Sequence, residues 1–65
     1  MKPEMIDYQG YELTIMHHPP RWQVGIYPKT AKRRMPPPHL QLVSLPQRDE
    51  AVAEAKRRVD SGFSD

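Results

Sequence analysis

Four cations, Lys29, Lys32, Arg33 and Arg34, lie within six residues of one another and run into the prolines Pro36, Pro37 and Pro38. Clustered Lys and Arg side chains bind phosphate, and an aromatic ring among them, here Tyr27, can stack on a base. Arg21 adds a further cation upstream. Together Arg21, Tyr27, Lys29, Lys32, Arg33 and Arg34 form the candidate set for contact with a nucleic acid or a partner protein. The same residues also read more plainly as a solvated loop that keeps a small domain soluble. Proline-ligand recognition is excluded, because no two of the eight prolines stand three apart and no Pro-Pro-x-Tyr occurs.

Other chemistry has less support. Adjacent His17 and His18 point to opposite faces of any extended segment and so do not share one metal ion, which leaves His39 as the remaining candidate ligand. The chain has no cysteine, hence no disulfide and no thiolate zinc site. Gly10, Gly25 and Gly62 are too widely spaced for a phosphate-cradling loop. Ser44, Ser61 and Ser64 sit in no nucleophile elbow and beside no evident base. The expectation is a chain that is not an enzyme, with no cofactor, no metal and no small-molecule ligand.

The charge is arranged in three blocks. Residues 1 to 12 carry −2, Leu13 to Arg48 carry +6 with no acid at all, and the stretch from Asp49 onward carries −2. The first residues contain Lys2, Glu4 and Asp7 and lack the apolar run of a signal peptide, so a cytoplasmic protein with no membrane partner is expected.

The elements that position these side chains follow from periodicity. In Tyr11 to His18, Tyr11, Leu13, Ile15 and His17 alternate with Glu12, Thr14, Met16 and His18, the mark of a half-buried strand. Beyond Pro19 and Pro20, Trp22, Val24 and Ile26 alternate with Gln23, Gly25 and Tyr27 in a second strand, and Trp22 is expected to be substantially buried. Two prolines cannot form the tight Asn-Gly kind of hairpin, so a wider loop or a cis Pro20 is expected. The apolar run His39 to Leu45 reads as a third strand, with Leu40 and Leu42 facing inward and Gln41, Val43 and Leu45 outward.

After Pro46 the period becomes 3.6, with Val52, Ala55 and Val59 in one stripe and Ala51 beside it. Acids in the first turn and bases in the last complement the helix dipole. This helix is predicted to begin between Gln47 and Glu50 and to end near Ser61, where Gly62 stops it and Phe63 folds back onto Val59. The predicted fold is α+β, a three-stranded antiparallel meander with one C-terminal helix packed on one face, in a single domain of residues 1–65. Residues 1–9 and 62–65 read as flexible tails, and 28–38 as a long, mobile, basic and Pro-rich loop.

In its pairing of strands with the Glu50-Ala51 and Glu54-Ala55 helix, the chain from Tyr11 to Asp60 resembles short uncharacterised bacterial proteins with a meander followed by an EA-x-x-EA helix. It is similar at the same level to antitoxin-like sheet-and-helix modules and to small three-stranded DNA-binding domains. The resemblance implies the fold, and no functional residue is carried over from it.

Two function classes follow. A three-stranded sheet with one helix leaves a face bare, and Met16, Tyr27, Val43 and Leu45 would make that face apolar enough to join a partner protein or another copy through the face or an edge. This protein-interaction reading leads. The alternative is weak, sequence-nonspecific nucleic-acid binding by the basic loop.

Overall fold

The computed structural model describes residues 4–63. Strands β1 (Glu4–Tyr8), β2 (Tyr11–His18), β3 (Arg21–Pro28) and β4 (Leu42–Leu45) form one antiparallel sheet in the order β1-β2-β3-β4. A four-residue helix α1 (Pro38–Gln41) leads into β4, and α2 (Arg48–Asp60) packs across one face. Among the described residues no helix is long and apolar enough to cross a membrane.

The α+β class and the C-terminal helix match expectation, whereas the strand number does not. Within the segment read as a tail, 1–9, residues Glu4 to Tyr8 form a fourth strand, with Ile6 opposite Leu13 and Tyr8 opposite Tyr11. The turn that joins β1 to β2 is Gln9-Gly10, whose φ angles of 52° and 82° are those of the hairpin turn that matches strand twist. At the other end, Ser64 and Asp65 of the expected tail lie outside the described residues, as do residues 1–3. Phe63 is buried.

The first two predicted strands keep their phase: Tyr11, Leu13, Ile15, Val24 and Ile26 are buried beneath Ala51, Ala55 and Val59 of α2. Pro19 and Pro20 alone connect them, and the Pro19–Pro20 peptide is cis. The last strand has the opposite phase from that predicted. Val43 pairs with Val24 and is buried, Leu45 pairs with the half-buried Trp22, and Leu42 faces out, because α1 takes up the residues before Leu42 and β4 begins later than the apolar run does. Trp22 is correspondingly only half-buried. It lies near the end of the sheet, where its ring stacks on the exposed His17 at 4.2 Å and 13°.

Helix α2 is fastened to both borders of the sheet. On β1, Glu4 accepts from Arg48 at the start of the helix, and the Tyr8 hydroxyl donates to Asp60 at its end, 2.9 Å from each carboxylate oxygen. On its β4 side, Glu54 accepts from Arg57 at 2.7 and 2.9 Å and from Arg58 at 2.9 Å, while Arg58 also donates to the carbonyls of Leu40 and Leu42. The hydrogen bonds from Arg57, joined by those from Arg58, hold the Glu54 carboxyl below its ordinary value of 4.5. A depressed carboxylate stabilises the fold above the unfolded value and loses that contribution as pH falls through the folded one. Thermal unfolding from pH 7 to pH 3 should therefore show a fall in Tm beginning near pH 5. Glu54→Gln should start lower at pH 7 and fall less across the same window.

Candidate functional site

The face of the sheet away from α2 is read directly from the register. One row across it is Met5, Thr14, Gly25 and Leu42, and its neighbours are Asp7, Glu12 and Tyr27 on one side and Met16, Gln23 and Ser44 on the other. Met5, Tyr27 and Leu42 are 59%, 45% and 48% exposed, three of the four large hydrophobic side chains that stand open to solvent among the described residues; the fourth is Met35. Gly25 leaves room in the middle of this face for the Tyr27 ring. The Tyr27 ring lies over it so closely that an added Cβ would stand 2.8 Å from a ring carbon. The apolar character expected of this face is thus present, but Leu42 and Met5 supply it in place of Val43 and Leu45, which point into the core.

The six candidate contact residues do not converge. Arg21 and Lys29 stand at opposite ends of β3, roughly 25 Å apart along an extended strand. Arg21 is engaged with Ser44, donating to its hydroxyl at 3.1 Å and its carbonyl at 3.0 Å. Lys29 is ion-paired to Asp7 at 2.9 Å, and that hydrogen bond raises the ammonium above its ordinary value. The remaining cations, Lys32, Arg33 and Arg34, are exposed and have no acidic partner among the described residues.

Although residues 29–35 are exposed, the loop is tied down at several points. The Lys29 amide donates to the Gly10 carbonyl, the Arg33 side chain lies over Gly10, the Tyr11 hydroxyl donates to the Arg34 carbonyl at 2.7 Å, and Pro36 is buried. Charge composition signals the exposure; the tethers depend on the Gln9-Gly10 turn and on Tyr11, which no local pattern links to the loop.

Beside the loop, Gln9, Tyr11, Arg33, Val59, Asp60 and Gly62 line a cleft of about 330 Å³. Among these described residues the carboxylate is that of Asp60, which already accepts from Tyr8. His17 and His18 fall on opposite faces, and no group of three or more His, Asp or Glu among the described residues is placed to hold a metal ion.

The two borders of the sheet differ. The pair closing a two-residue turn exchanges both backbone hydrogen bonds, and bonded and non-bonded pairs then alternate. From His18 opposite Arg21, this parity directs Trp22 and Val24 toward β4 and leaves the backbone groups of Leu42 and Ser44 facing outward. Both of those outward carbonyls are occupied, Leu42 by Arg58 and Ser44 by Arg21. From Tyr8 opposite Tyr11, the same parity leaves Met5 and Asp7 of β1 facing outward, and no side chain among the described residues binds them.

No protein-family model, no curated protein and no solved structure matches this chain.

Proposed function

We propose that this chain is a non-enzymatic protein-interaction module that works through the helix-free face of its sheet. The observation that carries the reading is the placement of Met5, Tyr27 and Leu42, all exposed, on one face of the sheet around Gly25, while α2 covers β2, β3 and β4 on the opposite face. Large apolar side chains left open together on one sheet face mark contact sites. The cations support a phosphate-binding reading less well, since Arg21 is remote and Lys29 is neutralised by Asp7.

A photo-activatable residue placed at Leu42, with the same residue at Ala53 on the exposed side of α2 as control, tests this in an extract of the cells that make the protein. Protein adducts at Leu42 and few at Ala53 are expected. Equal yields at the two positions would overturn the reading. Nuclease-sensitive adducts would replace it with nucleic-acid binding by Lys32, Arg33 and Arg34, for which a logarithmic salt slope of roughly −2.7 is expected on duplex DNA, about 0.9 per cation.

A further inference from the structure

We propose that β1 pairs antiparallel with β1 of a second copy, joining two four-stranded sheets into one about a twofold axis through Ile6. The proposal rests on the protein-interaction reading and adds to it a second contact, the β1 edge, with a stated partner. Exposed strand edges invite pairing, and proteins commonly block them with charge or cover. Here the β4 border is blocked by Arg58 and Arg21, whereas β1 presents the N–H and C=O of Met5 and of Asp7. The strand is also thinly covered. Helix α2 packs over β2, β3 and β4, so that Ile6 and Tyr8, on the helix side of β1, remain only partly buried.

The register follows from which groups are open. Outward-facing groups must meet outward-facing groups, so an antiparallel partner sets Met5 opposite Asp7, Ile6 opposite Ile6 and Glu4 opposite Tyr8, with about four ladder hydrogen bonds between Met5 and Asp7 of the two copies. Centring on Asp7 would set two carboxylates side by side. A centre at Met5 would leave Asp7 with no opposing residue within Glu4–Tyr8.

Charge does not oppose the chosen register, because Glu4 is held by Arg48 and Asp7 by Lys29 within each copy. A second copy fits better than an unrelated extended peptide for a specific reason. It brings its own Ile6 against that of the first and each Tyr8 diagonal to the opposing Ile6, so two half-covered edges of core complete each other between the flanking helices.

The chain contains no cysteine, which makes a direct test available. At the axis the two Ile6 residues form a non-bonded pair with Cα atoms about 4.5 Å apart, within disulfide reach. Under mild oxidation Ile6→Cys should form a covalent dimer at least about ten times faster than Leu42→Cys, whose cysteine lies on the open face. Met5→Pro removes only an outward N–H and leaves the β1–β2 ladder intact. It should keep the circular dichroism spectrum and halve the sedimentation mass at concentrations where the native chain is dimeric.

Faster cross-linking at Leu42 than at Ile6, or a dimer mass unchanged by Met5→Pro, would overturn edge pairing while leaving the interaction face in place. A monomer at millimolar concentration with no Ile6→Cys dimer would also overturn it. The adducts at Leu42 would then judge the broader reading by themselves.

Discussion

Leu13→Ala should leave the domain largely unfolded at 25 °C. Leu13 is completely buried, between Ile6 on β1 and Ile26 on β3 and beneath α2. Truncating a buried leucine costs about 2 to 5 kcal/mol, counting both lost transfer energy and the cavity left behind. A core of this size rarely supplies more than about 3 to 5 kcal/mol. Leu42→Ala makes the sharper comparison, because it deletes the same atoms from the exposed face and should change stability by no more than about 0.5 kcal/mol. Urea unfolding followed by circular dichroism reads both. A cooperative transition for Leu13→Ala with a midpoint near that of the native chain would place the core elsewhere.

That pair also shows where the sequence pattern was informative. In β2 and β3, eight-residue alternation determines which residues face inward, since a shift by one would turn every apolar side chain to solvent. Over the apolar run His39 to Leu45 one phase buries Leu40 and Leu42 and the other Val43 and Leu45, so alternation along the run cannot choose. What chooses is tertiary: Val43 meets Val24, and Arg58 reaches the Leu42 carbonyl at the border. Strand β1 escaped for a related reason. Its helix-facing set is Glu4, Ile6 and Tyr8, and Glu4 reads as a surface residue until its partner Arg48, forty-four positions away, comes into view.

The interaction surface was partly legible for the same reasons. Tyr27 and Met16 follow from the alternation of β2 and β3. Met5 and Leu42 required β1 and the true phase of β4. The basic loop was conspicuous in composition, yet its ion pair, Lys29 with Asp7, joins two segments that have no periodic relation. Local charge density identified exposed cations and gave no indication of which were already engaged.

Phe63→Ala should lower stability by about 3 to 5 kcal/mol, and Phe63→Gly by about 1 kcal/mol less, the reverse of the usual order of these two residues. The helix ends in a paired cap, with the Gly62 amide donating to Val59 and the Phe63 amide to Arg58, and both residues have positive φ, 67° and 62°. Glycine occupies this region freely, whereas a residue with a Cβ pays roughly 1 to 2 kcal/mol to do so. The ring offsets that strain. It is buried, and it packs edge-on against Tyr11 with centroids 5.3 Å apart at 71°. Alanine keeps the strained backbone and loses the ring, while glycine loses the ring and the strain together. Because the Tyr11 hydroxyl also holds the Arg34 carbonyl, both variants should loosen the basic loop, seen as faster amide exchange in residues that follow Lys29. Denaturation of the two variants side by side in a stabilising osmolyte such as TMAO, which holds so small a domain folded, decides it: equal losses, or a larger loss for glycine, would show that the cap conformation contributes no strain.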